Sequence, residues 1–214
     1  SNSLSGQSVR IDEFMAINQA TIADEDGDYS DWIEIYNPTA ASVNLSGWRL
    51  TDDISNPDKW IFPEIVLEAD GYLLVFASGK DKYNSGGELH INFKLSGSGE
   101  YLALFDNLGN AITEFDPEYP EQFTDMSFGF YDNNYVIFTI PTPGEANQSS
   151  EHQLLQLPVF SKKRGFYDSP FEVEITSDLQ NVQIYYTKDG SVPDAVNGTF
   201  YNSPIQISTT TVLR

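Results

Sequence analysis

The sequence predicts an all-β protein whose antiparallel strands form a β-sandwich, followed by a second, smaller β module. Three observations support this prediction. Apolar runs are short and rich in aromatic and β-branched residues, turn-forming residues recur between them, and helical periodicity is almost absent. Many short strands separated by turns at regular spacing are typical of a β-sandwich.

Four runs carry the strand prediction along the chain. They are Trp32–Tyr36, Tyr72–Phe76, Tyr101–Phe105 and Val182–Thr187, bounded by Gly, Pro, Asn or Asp. In the first run, Ile33 and Ile35 point to one face of the sheet, which we expect to be buried. Trp32, Glu34 and Tyr36 point to the opposite face, which we expect to be partly exposed to solvent.

Charge divides the chain into two modules. Residues 1–147 hold 25 acidic and 6 basic residues, a net charge of −19, whereas residues 148–214 hold 7 acidic and 5 basic residues, a net charge of −2. The change falls where an irregular segment gives way to a polar one. We therefore predict a disordered or expression-derived N-terminus at 1–8, a first domain at 9–147, a linker at 148–157 and a second domain at 158–214.

The composition excludes several classes of function. A net charge of −21 repels phosphate backbones and anionic lipid headgroups, so we expect no nucleic-acid partner. The absence of cysteine excludes disulfides and thiol nucleophiles, and no apolar run is long enough for membrane insertion. Because the nucleophile elbow, the zinc-protease motif and the phosphate-binding loop are also missing, we expect no catalytic residues and no enzyme activity.

Four segments of the first domain form a series. They are Val9–Asn18, Asp31–Pro38, Val43–Leu50 and Pro141–Asn147. In this order they resemble the bacterial lamin-tail domain, and the resemblance covers about residues 9–147. It implies an immunoglobulin-like antiparallel sandwich that serves as a non-catalytic module of a larger exported or surface-attached protein.

The second domain carries a different series of segments. They are Ile184–Pro193, Gly198–Tyr201, Pro204–Ile205 and Thr209–Leu213. This series resembles the C-terminal all-β domain of chitobiases and β-hexosaminidases, an accessory to glycosidases and surface proteins. The resemblance stops at Arg214, where the family has further strands, so we expect an incomplete module over about 158–214.

The densest acidic segment, residues 24–31, holds five acids in eight residues. Carboxylates at alternate positions of a turning loop can converge on Ca²⁺, which takes roughly six to eight oxygen ligands. We therefore name Asp24, Asp26, Asp28 and Asp31 as candidate calcium ligands, although their spacing is not that of an EF-hand. The alternative is a solvated loop whose aspartates cap their own backbone.

Two other groups of polar residues have a functional and a structural interpretation. Asp52, Asp53 and Asp58 either complete such a cation site or form a turn. His90 alternates with apolar neighbours, so we expect it on a solvent-exposed face, and His152 falls in the predicted linker.

Aromatic residues could contact sugars, because ring faces suit the C–H groups of a pyranose. Trp48, Trp60, Tyr185 and Tyr186 are the candidates, and core packing is the interpretation that we favour for most of them. A carbohydrate-binding role therefore stays open as an alternative.

Together these observations predict a non-catalytic adhesion, docking or spacer region of a larger exported bacterial surface or secreted protein. The alternative is a carbohydrate-binding accessory module of a glycosidase-like or kinase-like multidomain protein. A hydrolase with an unrecognised carboxylate site is a third class. We expect a protein or polysaccharide partner, and a location outside the cell or on the surface of a bacterium.

Overall fold

A computed structural model of the chain describes residues 8–83, 86–148, 154–155, 158–177 and 182–214. The chain forms two compact units, with the division between Leu155 and Gln156. Over the described ranges the structure is all-β, and none of them contains a helix long and apolar enough to cross a membrane. The predicted N-terminus at 1–8 lies outside the described residues except for Ser8.

The first unit contains fourteen of the described strands. They are β1 (Arg10–Met15), β2 (Asp31–Tyr36), β3 (Val43–Asn44), β4 (Arg49–Thr51), β5 (Trp60–Ile61), β6 (Val66–Leu67), β7 (Tyr72–Ala77), β8 (Lys82–Tyr83), β9 (Leu89–His90), β10 (Leu102–Phe105), β11 (Ala111–Phe115), β12 (Ser127–Tyr131), β13 (Asn134–Phe138) and β14 (Leu154–Leu155).

Two sheets make up most of the first unit. The larger has the strand order β14-β13-β12-β1-β2-β7-β9-β8, and the smaller has the order β11-β10-β4-β5. A short β3–β6 pair completes the described strands of this unit. The pairings are antiparallel except for the parallel β7–β9 pair. This architecture confirms the predicted all-β, immunoglobulin-like sandwich.

Aromatic side chains fill the space between the two sheets. Phe14 of β1 packs edge-to-face on Phe115 of β11, with ring centroids 5.5 Å apart, and on Tyr119 at 4.9 Å. The amide of Ile11 also donates a hydrogen bond to the Thr113 hydroxyl across the same interface. Such edge-to-face contacts add to the burial of apolar area in holding the sheets together.

The prediction of a partly exposed face on β2 is wrong. Trp32 and Glu34 are fully buried, as Ile33 and Ile35 are, and Tyr36 alone of the predicted exposed face is half-exposed. The face that the sequence predicts as exposed is covered because Ile22 packs against the cluster of Met15, Trp32 and Phe76, while the segment 141–147 lies over Glu34. Strand alternation separates the two faces of a sheet but does not reveal what covers each of them.

Across residues 158–177 and 182–214, the strands of the second unit form three short antiparallel pairs. Its strands are β15 (Val159–Phe160), β16 (Phe171–Val173), β17 (Ile175–Thr176), β18 (Tyr185–Tyr186), β19 (Thr199–Phe200) and β20 (Ile205–Ile207). The pairs are β15–β17, β16–β20 and β18–β19. The predicted strand Val182–Thr187 is therefore confined to two residues.

The predicted linker lies mostly outside the described residues. Residues 149–153 and 156–157 of the predicted range 148–157 are not described. Leu154 and Leu155 pair with β13 as the edge strand of the larger sheet.

Candidate functional site

The acidic loop between β1 and β2 is organised by Asp24. Its Oδ1 accepts hydrogen bonds from the amides of Asp26 and Asp28, both at 3.0 Å, and Ser30 Oγ donates to its Oδ2 at 3.0 Å. Gly27 takes a left-handed φ of 85° that closes the turn. The backbone capping that the sequence predicted as the alternative for this loop is therefore present, although Asp24 itself is buried rather than solvated.

Lys80 lies where three of the four candidate calcium ligands converge. Its Nζ is 2.7 Å from Asp24 Oδ2, 2.8 Å from Asp26 Oδ2 and 2.9 Å from Asp28 Oδ2. Lys82 adds a second ammonium, 2.6 Å from Glu25 Oε1. The three carboxylates therefore surround a cation, which is the ammonium group of Lys80 in the loop between β7 and β8.

The pKa of Asp24 reflects this arrangement. Burial of the carboxyl would raise it, but hydrogen bonds from Lys80 and from the loop amides outweigh burial and lower the pKa to about 2. Desolvation would lower the pKa of Lys80, but its hydrogen bonds to the three aspartates outweigh desolvation and raise that pKa. The ion pairs therefore persist across the ordinary pH range.

Asp31, the fourth candidate ligand, does not join this cluster. Its Oδ2 accepts a hydrogen bond from the amide of Leu95 at 3.2 Å. Burial raises its pKa to about 6, opposed by that hydrogen bond. Asp31 therefore anchors the backbone at Leu95 rather than extending the cation site.

The prediction that His90 faces solvent is wrong, because its ring is fully buried on β9. It stacks on Phe76, and its Nδ1 is 3.0 Å from Ser78 Oγ and 4.0 Å from Asp24 Oδ2. Asp24, Asp26 and His90 form a group whose potential ligand atoms all lie within 4.8 Å of one another, in the described part of the chain. The sequence does not indicate that His90 lies beside Asp24, because β9 follows Asp24 by more than 60 residues. His152 lies outside the described residues.

The second acidic cluster is not brought to this group. Asp52 pairs with Lys59 at 2.5 Å, and Asp58 pairs with Arg49 at 2.6 Å. The Asp53 carboxylate accepts hydrogen bonds from Ser55 within a tight turn. Each of the three aspartates therefore interacts with a residue near it in the sequence and does not contribute to the Asp24 cluster.

Pro141–Asn147 covers a pair of buried carboxyl groups. Glu13 of β1 and Glu34 of β2 are direct cross-strand partners and are both fully buried. Thr142 donates from its amide and its hydroxyl to Glu13, Ser127 Oγ donates to the same carboxyl, and the amide of Gly144 donates to Glu34 Oε2. Three of the four segments that resemble the lamin-tail domain therefore meet at one place.

Neither carboxyl group has a cationic partner among the described residues. Burial, opposed by the Gly144 hydrogen bond and reinforced by the nearby Glu13 and Asp12, raises the pKa of Glu34 to about 8. Burial also raises the pKa of Glu13. Glu34 is therefore protonated at neutral pH, and its Oε1 has no hydrogen-bond partner among the described residues.

An open pocket of about 350 Å³ lies next to this covered pair of carboxyl groups. A row of side chains from four adjacent strands forms one wall: Phe130 of β12, Arg10 of β1, Tyr36 of β2 and Tyr72 of β7. The Arg10 guanidinium lies between two rings, 4.3 Å from the Phe130 centroid and 4.9 Å from that of Tyr36. Tyr36 and Tyr72 are cross-strand partners and stack at 4.4 Å.

Polar groups complete the pocket, and most of them are held in place. Arg10 binds Asp12 Oδ1 through Nε at 2.7 Å and Nη2 at 2.6 Å, and Asn147 Nδ2 donates to Asp12 Oδ2 at 3.1 Å. The rim carries Asp132 and Asn133, both exposed. Their φ values of 46° and 64° are those of a type I′ turn, which joins β12 to β13.

The predicted aromatic candidates lie elsewhere. Trp48 and Trp60 are buried in the core, which confirms the favoured interpretation, and Tyr185 and Tyr186 are half-buried in the second unit. The pocket aromatics were missed because each comes from a different strand, and only the strand order places them side by side.

Comparison with known protein families agrees with the two series of segments. A family model of the lamin tail domain matches residues 2–118, and a model of the chitobiase/beta-hexosaminidase C-terminal domain matches residues 162–214. No curated protein matches the chain. Both matched domains are accessory-type β-sandwich modules, and the second is linked to carbohydrate-active proteins.

The order of the two families is the predicted one, although the first match ends before β12 while the larger sheet continues to β14. The lamin tail domain model covers 117 of the 214 residues, which is more than half. The chain therefore belongs to the lamin tail domain family.

Proposed function

We propose that this chain is a non-catalytic docking region of a larger exported bacterial protein, and that the pocket lined by Arg10, Tyr36, Tyr72 and Phe130 is its contact site. We call it the Tyr72 pocket. The proposal rests on one observation: four half-exposed side chains from four adjacent strands line a recess of ligand size next to fixed polar groups. The extracellular setting is part of the proposal and is supported by the chitobiase-type domain.

The chemistry of the pocket favours binding over catalysis. Its buried carboxylate, Asp12, is held by Arg10 and Asn147, so it is already engaged as a hydrogen-bond acceptor. Burial raises the pKa values of Glu13 and Glu34 as well, but both groups are fully buried beneath Pro141–Asn147 and cannot reach a substrate. The pocket thus offers a preorganised surface without an accessible acid or base pair.

Cosedimentation tests this docking function. The purified chain is mixed with washed, insoluble bacterial envelope material, and the bound fraction is measured across protein concentrations. We expect saturable binding that falls at least fivefold in the Tyr72→Ala variant. Tyr29→Ala is the matched control, because Tyr29 is also exposed but lies in the acidic loop outside the pocket.

Two results would contradict the proposal. One is equal binding by the wild-type chain and the Tyr72→Ala variant. The other is turnover of glycoside or phosphate-ester substrates that is lost on changing a carboxylate to its amide, because it would identify the chain as a hydrolase.

A further inference from the structure

We infer that the Tyr72 pocket binds an uncharged saccharide. This inference rests on the proposed docking function and names the class of ligand. It follows from the aromatic surface, the polar groups and the charge of the pocket.

The aromatic surface suits a sugar ring. Tyr72 stacks on Tyr36 and is half-exposed, and Tyr131 is half-exposed at the end of β12. Pyranose rings present patches of C–H groups that pack on such aromatic surfaces, and the stacked pair loses little side-chain entropy on binding. Because its neighbours already hold the row in place, the wall is preorganised for a flat, weakly apolar ligand.

The polar groups offer both kinds of hydrogen bond that a sugar hydroxyl needs. The Asp132 carboxylate accepts, the Asn133 amide accepts and donates, and both lie exposed on the rim. Arg10 and Asn147 are fixed by their bonds to Asp12, so their position does not depend on the ligand. A hydroxyl group can donate to one of these side chains and accept from another.

The charge of the pocket narrows the class to neutral sugars. An anionic ligand would have to approach a region whose net charge is −19, and the one lining guanidinium is already paired with Asp12. The buried Asp12 carboxylate is already paired with Arg10. Of the acidic side chains that line the pocket, only the exposed Asp132 is therefore available to a cationic ligand. The volume of about 350 Å³ lies near the lower end of ligand-sized pockets, which suits one or two sugar rings.

The test begins with an array of neutral glycans, which includes glucans, mannans, galactans and chitin oligosaccharides, probed with the labelled full chain. Binding to the best glycan is then measured by isothermal titration calorimetry. We expect Tyr72→Ala to weaken binding at least tenfold and Ala146→Trp to do the same by filling the pocket. Ala146 is an exposed lining residue, so this second variant blocks the site without removing a packed side chain. Tyr29→Ala is expected to bind within twofold of the wild-type chain.

The Asp132→Asn variant identifies the class of ligand. Asparagine tolerates the left-handed φ of this position but offers a sugar hydroxyl only a neutral acceptor, so we expect saccharide binding to weaken by about three- to tenfold and to stay insensitive to salt. A basic peptide would instead lose most of its affinity with Asp132→Asn and with rising salt.

Three results would overturn the inference. They are no binding to any neutral glycan, glycan binding that is unchanged by both Tyr72→Ala and Ala146→Trp, and preferential binding of a basic peptide. If glycans fail while envelope cosedimentation still depends on Tyr72, the ligand class is wrong but the docking function stands. If both fail, the docking function is wrong as well.

Discussion

At the scale of single residues, the chain stabilises buried carboxyl groups in two ways. Asp24 remains ionised because three backbone and side-chain donors surround it and Lys80 neutralises it. Glu34 has one amide donor and no cationic partner in the described part of the chain, so it remains protonated. The difference between Asp24 and Glu34 follows from the hydrogen-bond donors and positive charge that surround each carboxyl group.

The first residue-scale prediction concerns calcium at the acidic loop. Because the Lys80 ammonium already lies among Asp24, Asp26 and Asp28, we expect the wild-type Tm to be the same in millimolar Ca²⁺ and in chelator. In Lys80→Gln the three carboxylates lose their counter-ion, so the Tm should fall in chelator and recover by several degrees in Ca²⁺. Differential scanning calorimetry measures both.

Lys94→Gln, an exposed lysine outside the cluster, is the control and should show no response to Ca²⁺. A wild-type Tm that rises with Ca²⁺ would mean that calcium displaces Lys80. No response in Lys80→Gln would mean that the loop is not a calcium site even without the lysine.

The second residue-scale prediction concerns pH. Glu34 has an ordinary pKa of 4.5 when unfolded and about 8 when folded, so the folded chain binds the extra proton between these values. Its contribution to stability is full below pH 4.5 and is lost as the pH rises to about 8. We expect the free energy of unfolding to fall by a few kcal/mol over this interval, with a slope of at most about 1.4 kcal/mol per pH unit.

Glu34→Gln should remove most of that decline, because the amide keeps an oxygen for the Gly144 N–H and cannot ionise. Urea unfolding at pH 5, 7 and 8.5 measures the slope. Glu64→Gln, an exposed position outside both sites, should leave it unchanged. A Glu34→Gln slope equal to that of the wild-type chain would show that Glu34 does not titrate as described.

At the scale of elements, the segment Pro141–Asn147 joins the first strands to the last ones. Asn147 Nδ2 donates to the backbone oxygen of Asp12, to the Asp12 carboxylate and to the oxygen of Phe130, each at 3.1 Å. Its Oδ1 lies 2.9 Å from Thr142 Oγ1. One amide side chain therefore ties together β1, β12 and the segment that covers Glu13 and Glu34.

We expect Asn147→Ala to destabilise the first unit by about 2 kcal/mol or more, because it leaves several half-buried polar groups without partners. Asn134→Ala is the matched control, since Asn134 makes one exposed bond to the oxygen of Asp132, and it should cost less than about 0.5 kcal/mol. Chemical denaturation followed by tryptophan fluorescence measures both variants. Equal costs would contradict the role given to Asn147.

Some strands and site residues could be predicted from the sequence, and others could not. The runs at Trp32–Tyr36 and Tyr72–Phe76 predict β2 and β7 because strand composition and turn residues are local signals. The acidic loop was also visible as a local concentration of charge. Its counter-ion Lys80 and its neighbour His90 were not, because strand pairing brings them in from more than 50 residues away. The Tyr72 pocket is set wholly by strand order, which one sequence does not specify.

At the scale of the whole molecule, the two units differ in how much core they have. The first contains most of the buried apolar side chains of the described chain, whereas the second contains Val173, Ile175 and Ile205. Two-stranded pairs are marginally stable by themselves. The second unit therefore gains less from burial per residue than the first.

We expect the second unit to unfold at lower urea concentration than the first. All three tryptophans, Trp32, Trp48 and Trp60, lie in the first unit, so their fluorescence reports that unit alone. Far-UV circular dichroism should begin to change before the fluorescence does. A Tyr185→Trp variant places a reporter in the second unit and should show the early transition directly. Coincident transitions for all probes would indicate a single cooperative unit instead.

The central claim is that ligand contact occurs at the Tyr72 pocket of the first unit. The most direct measurement is amide chemical-shift mapping of the ¹⁵N-labelled chain during titration with the best-binding neutral glycan. We expect the largest shifts at Tyr36, Tyr72, Asp132, Asn133 and Asn147, with the acidic loop at 24–31 unaffected. Shifts concentrated in residues 158–214 or in that loop, or no shifts at saturating glycan, would contradict the claim.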